Sequence, residues 1–126
     1  MGNFYDDARF GIEKILTFPG KIDSSAAAYT ASPLVFTEDI TITEFGIVVT
    51  EAYSAGGSVA SAQLREGAVV LGNISIPTGS ALGTLITAAA LTAGNISRAD
   101  TLTLFSNLSA GAAGECVGFI KYNTRY

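Results

Sequence analysis

The sequence predicts an all-β fold: an antiparallel β-sandwich, read as a jelly roll of about eight strands, with an extended N-terminal arm. Three observations predict it. Apolar and polar residues alternate with a period of two in segment after segment. Turn signals built on Gly, Pro, Asn and Ser recur at the short spacings of a sandwich. No stretch carries the 3.6-residue apolar period of a convincing helix.

The organising stretch is Ser58–Ile86. Ala60, Ala62 and Leu64 alternate with Ser61 and Gln63, as a half-buried strand requires. Glu66-Gly67 reads as a hairpin turn, because Gly takes positive φ without a Cβ clash. Val69-Val70-Leu71 leads back, and Ile74 and Ile76 continue one face past Gly72. Pro77-Thr78-Gly79-Ser80 is a second turn. Leu82, Thr84 and Ile86 are expected to begin a third strand, so this centre predicts a three-stranded meander.

Two units are expected: an arm over residues 1–11 and a single sandwich domain over 12–126. The arm mixes aromatics and charges (Phe4, Tyr5, Asp6, Asp7, Arg9, Phe10). It either folds back on its own body or reaches a neighbour. Ile12–Phe18 reads as a strand with Ile12, Leu16 and Phe18 on one face, and Lys14 on that face suggests a sheet edge. Pro19-Gly20 ends it. Asp23–Ser32 reads as a loop, with at most a helical turn over Ala26-Ala27-Ala28. Pro33 forces an extended entry to Leu34-Val35-Phe36.

Ile40–Thr50 is the longest strand candidate. Ile40 and Ile42 point one way, and Phe45, Ile47 and Val49 the other. That phase change at Glu44-Phe45 predicts either a bulge or burial of both faces beyond it. Thr87–Ala93 is left open between a prolonged strand and one helical turn. Leu102 and Leu104 alternate with Thr101 and Thr103 in a further strand. In the last, Val117 and Phe119 share one face, and Cys116, Ile120 and Tyr122 the other. A jelly roll and an immunoglobulin-like sandwich give similar patterns, so strand order stays open here.

Composition narrows the function. The 126 residues suffice for one domain with a core. Charged residues make up 14%, against roughly 25% in an ordinary soluble domain, which suggests that other copies or a partner cover part of the surface. Net charge is −4, and the seven Lys and Arg are scattered. No basic stripe neutralises phosphates, so nucleic acid is not an expected partner. No signal peptide is read near Asp6 and Asp7, and no apolar run is long enough to span a bilayer as a helix, so no membrane is expected. Cys116 is the one cysteine and reads as a buried small apolar residue. There is no His, which removes the commonest general base and metal ligand.

Candidate chemistry is thin. Asp6-Asp7 and Glu38-Asp39 are acidic pairs without the loop spacing of a Ca²⁺ site. Glu44, Glu51, Glu66 and Glu115 are carboxylates available in principle to glycoside hydrolysis, but the sequence does not give their separation. No metal, cofactor or catalytic residue is therefore expected, and the chain is not read as an enzyme. The strongest interaction features are the ends: Phe4, Tyr5, Arg9 and Phe10, with Tyr122, Arg125 and Tyr126. These have the Tyr, Phe and Arg make-up of interface cores.

Three runs carry a resemblance: TITEFGIVVTEAY, ASAQLREGAVVLGNISIPTGSALGTLI and ADTLTLFSNLSAGAAGECVGFIKY. Together they make Thr41–Tyr122 similar to the small all-β decoration, cement or auxiliary capsid proteins of tailed bacteriophages. The shared pattern is a strand, an "LREG" hairpin, an "IPTGSA-GT" turn and an Asp-Thr-Leu-Thr strand. Where relatives carry Gly-Asp before that strand, this chain has Ala99-Asp100. The resemblance implies a structural virion protein, made in the host cytoplasm and located on the outer capsid. Its implied partners are the major capsid protein and further copies of itself, commonly as a trimer. The alternative is a carbohydrate- or receptor-binding β-sandwich of a phage tail or fibre, with Tyr29, Tyr53, Ala55–Gly57 and Ser109–Gly114 as its candidate contacts.

Overall fold

The computed structural model describes residues 13–19, 22–23, 28–30, 33–54, 60–92, 94–107 and 114–124. The N-terminal arm and the last two residues lie outside that set. Among the described residues there are only strands, turns and bends.

The strands are β1 (Lys14–Thr17), β2 (Ile22–Asp23), β3 (Ala28–Thr30), β4 (Leu34–Val35), β5 (Ile40–Glu51), β6 (Ala60–Glu66), β7 (Val69–Ile76), β8 (Leu85–Thr87), β9 (Asn95–Ile96), β10 (Thr101–Asn107) and β11 (Glu115–Thr124). They form two antiparallel sheets. The first runs β1-β11-β5-β8, with β2 also on β11 and β9 also on β5. The second runs β3-β10-β6-β7, with β4 also on β10.

The short pieces are interrupted edges. β1 and β2 lie end to end along β11, β8 and β9 along β5, and β3 and β4 along β10. Each sheet then has four strand positions. In chain order, the first position pairs with the eighth, the eighth with the third and the third with the sixth. In the other sheet the second pairs with the seventh, the seventh with the fourth and the fourth with the fifth. That is the connectivity of a jelly roll.

The phase change in β5 has a clear cause. Lys121 pairs with Glu44, but Tyr122 pairs with Ile42, so Thr43 is an extra residue on β5. This bulge lets Ile40 and Ile42 face inward together with Phe45, Ile47 and Val49; all five are at most 3% exposed. Without it two isoleucines would turn to solvent, at about 1.5–3 kcal/mol each. Of the two expectations for this segment, the bulge is correct, one residue earlier than the pattern suggested.

The core lies between the sheets. Phe45, Ile47, Cys116 and Ile120 contribute from the first sheet, and Leu64, Ile74, Ile76, Leu102 and Leu104 from the second. Among the described residues β1 is an edge strand, as Lys14 suggested.

Three expectations are corrected. The meander ends after β7: the next strand is Leu85–Thr87, and it pairs with β5 in the opposite sheet. Leu82 is 69% exposed in the connecting loop, outside any strand. Ala28–Thr30 is a strand on β10, because the backbone there meets a partner edge that local composition does not reveal. Residues 88–92 are neither strand nor helix; they cross between the sheets. Ala88 N–H donates to the Phe45 carbonyl at 2.9 Å, and Thr92 N–H to the Leu71 carbonyl at 2.7 Å.

Candidate interaction surfaces

Three tight turns shape the rims, two beside the end of β5 and one beside its start. Pro77–Ser80 and Ala81–Thr84 follow directly on one another. In each, the fourth residue's N–H and hydroxyl both donate to the carbonyl of the first: 3.3 and 2.6 Å for Ser80, 3.1 and 2.7 Å for Thr84. The third residues, Gly79 and Gly83, take φ of 78° and 87°, as type II turns require. Tyr53 N–H donates to the Ser80 carbonyl and Gly79 N–H to the Ser54 carbonyl, which ties the pair to the chain leaving β5. The third turn, Ser97–Asp100, places Ala99 at the corresponding position with φ 69°. Asp39 holds it by accepting from the Arg98 N–H at 2.8 Å.

The outer face of the first sheet is apolar in its middle. Register sets Thr17, Phe119, Gly46 and Thr87 in one row, and Val117, Val48 and Leu85 in the next. The Phe119 ring lies across Gly46, where an added Cβ would stand 2.5 Å from Cζ. Leu85 is 60% exposed and Ile15, at the other edge, 65%. Charge borders this band. At one end Lys121 pairs with Glu44 at 2.9 Å, and Thr43 Oγ1 donates to Glu13 at 2.5 Å. The hydrogen bond and charge of Glu44 push the Lys121 pKa up. At the other end Glu115 stands opposite Glu51.

The outer face of the second sheet is different. It carries Ser61, Gln63 and Arg65 from β6, Asn73 and Ser75 from β7, and Thr103 and Phe105 from β10. The Arg65 guanidinium carbon lies 3.8 Å from the centre of the Phe105 ring. Its Nε and Nη2 both donate to Gln63 Oε1, at 3.0 and 2.6 Å.

The residues singled out from sequence fall as follows. Phe4, Tyr5, Arg9, Phe10, Arg125 and Tyr126 lie outside the described residues. Tyr122 is half-buried, packs against the core and meets Phe36 edge to face at 5.2 Å between ring centres. Tyr53 is not an exposed platform: it is 5% exposed and hydrogen-bonds Cys116. The side chain of Tyr29 and the loops at residues 55–57 and 109–113 are likewise outside the description. Among the described residues no three His, Cys, Asp or Glu are grouped to hold a metal ion. No helix long and apolar enough to cross a membrane is present among the described residues.

Two surface features were missed. The band on the first sheet had a partial signal, the absence of any charged residue from Gly67 to Ser97. The Arg65–Phe105 pair had none, because forty positions separate its members and only strand register joins them.

No protein-family model matches the chain, and no curated protein matches it. Solved structures do. A chain of the cyanophage Pam1 capsid asymmetric unit aligns with a TM-score of 0.53 and 15% identity, over 92% of this chain and 87% of that one. The likeness is one of fold. Below it, the module CsCBM6-3 from Clostridium stercorarium, solved with cellobiose, aligns with a TM-score of 0.47 and 13% identity over 94% and 90% of the two chains. A structure from the disulfide-linked pili of Bacillus endospore appendages aligns at 0.44 and 15% identity over 90% and 88%.

Proposed function

We propose that this chain is a structural virion protein that binds the outer surface of a tailed-phage capsid and stabilises contacts between major capsid subunits. The observation that carries this reading is the apolar band on the first sheet, Phe119, Val117, Val48 and Leu85, with charged groups at both ends. An apolar centre with a polar border is the anatomy of a protein–protein interface. The resemblance of Thr41–Tyr122 to capsid decoration proteins supports the reading, as does a fold shared with a chain of a cyanophage capsid. No catalytic step belongs to this role. A protein that binds only the assembled shell stabilises it by mass action. Self-association, as a trimer, is part of the proposal, and the arm over residues 1–11 is its proposed reaching element.

The test is co-sedimentation of the purified protein with capsids of the phage that encodes it, alongside light scattering of the free protein. Binding that saturates, and that falls about tenfold or more in Leu85→Glu with an unchanged melting temperature, supports the reading. A protein that stays monomeric and never sediments with capsids overturns it. A full-length protein and one lacking residues 1–11 with the same number of copies per particle and the same capsid binding would remove the arm from the mechanism.

A further inference from the structure

The Arg65–Phe105–Gln63 cluster holds a cation in a fixed pose on the outer face of the second sheet. A free arginine side chain samples many rotamers, and fixing it costs conformational entropy. Here that cost falls on folding. The guanidinium rests on Phe105, and two of its N–H groups share one acceptor on Gln63. A ligand that meets this arginine finds it oriented beforehand.

The geometry also selects which edge is presented. Gln63 takes Nε and Nη2, the side-on edge. A guanidinium carries five N–H groups, so three are not taken by Gln63; two of them, one on each Nη, lie along the Nη1–Nη2 edge. That edge matches the two oxygens of a carboxylate.

The surroundings define the rest of the ligand. Gln63 stands opposite Asn73, Ser61 opposite Ser75, and Thr103 opposite Arg65. These are neutral amides and hydroxyls, each able to donate and accept. The rows from Ser61 to Arg65 contain no Asp or Glu, and among the described residues Arg65 makes no ion pair. An acidic peptide would bring several carboxylates to one cation. A sugar acid brings one carboxylate among several hydroxyls, which is the ratio this face offers.

We propose that the outer face of the second sheet is a binding site for carboxylate-bearing saccharides of the uronic-acid type. Arg65 receives the carboxylate end-on. Phe105 and Gln63 hold Arg65 in place. Asn73, Ser75 and Thr103 receive ring hydroxyls. This site lies on a different sheet from the apolar band, so it stands or falls independently of capsid binding.

The experiment titrates the full-length protein by NMR with three probes: hyaluronan tetrasaccharide, the neutral chitotetraose and tetraglutamate. The expected result is saturable binding of the hyaluronan fragment, with shifts centred on Arg65, Gln63 and Asn73, and no saturation with chitotetraose. Arg65→Gln should weaken binding at least about tenfold, since it removes both the charge and the paired donors that meet the carboxylate. Arg65→Lys should also weaken it, because an ammonium keeps the charge and loses the fork. Melting temperature confirms that each variant folds, and Arg65→Lys serves if Arg65→Gln does not. Absence of saturable hyaluronan binding overturns the proposal. So does binding that both Arg65 variants retain, equal binding of chitotetraose, or a preference for tetraglutamate.

Discussion

Gly118 on β11 faces Leu104 on β10 across the core: a Cβ built on Gly118 would stand 2.5 Å from Leu104 Cδ2. No carbon atoms tolerate that approach, so the Leu104 side chain keeps this place only because residue 118 has no Cβ. The absent methyl on one sheet is filled by an isobutyl group from the other.

Gly118→Ala should therefore destabilise the fold by about 1–3 kcal/mol through overpacking. Leu104→Ala alone should cost about 2–5 kcal/mol by leaving a cavity. The double variant should cost less than the two together, since each change relieves the other. Urea denaturation of all four proteins measures the coupling. Strictly additive losses would mean that the sheets adjust elsewhere.

Ala99 holds a position where the other two rim turns carry glycine. Its φ of 69° brings Cβ close to the following carbonyl, a strain of about 1–2 kcal/mol. Ala99→Gly should stabilise the protein by about 0.5–1 kcal/mol, after subtracting the greater freedom of glycine in the unfolded chain. A lowered urea midpoint would contradict this.

Gly83 presents the converse case. Nothing lies within 4 Å of a Cβ built there, and φ is 87°. Gly83→Ala should cost about 1 kcal/mol from the backbone alone, with no clash. A loss of several kcal/mol would show that the turn supports more than itself.

Burial pushes the Cys116 thiol pKa up, and its hydrogen bond with Tyr53 pulls the other way. The unfolded thiol ionises near pH 8.5, roughly its ordinary value. Between that pH and the raised native pKa the unfolded chain binds fewer protons. Stability is then fully present below the unfolded pKa and falls as pH rises toward the native one. Cys116→Ala should flatten this alkaline slope. A thiol reagent at neutral pH should react with native protein only at the rate of opening, and fast labelling would refute the buried placement.

Much of the fold was readable from local pattern. The alternation in Ala60–Leu64, in Ile74–Ile76 and in Leu102–Leu104 assigned each residue to the core or the outside correctly, because a strand's side chains alternate whatever it pairs with. The Glu66–Val69 hairpin was readable too, since its two strands are joined by the turn that pairs them. Pairing between distant segments was not. β3, β8 and β9 are two or three residues long, too short for a period, and each becomes a strand only because β10 or β5 offers an open edge. The bulge at Thr43 was half-visible as a phase change, but its position depended on β11. The surfaces follow the same division. Low charge raised the expectation of a covered surface, whereas the apolar band and the Arg65–Phe105 pair exist only once register sets residues from separate strands side by side.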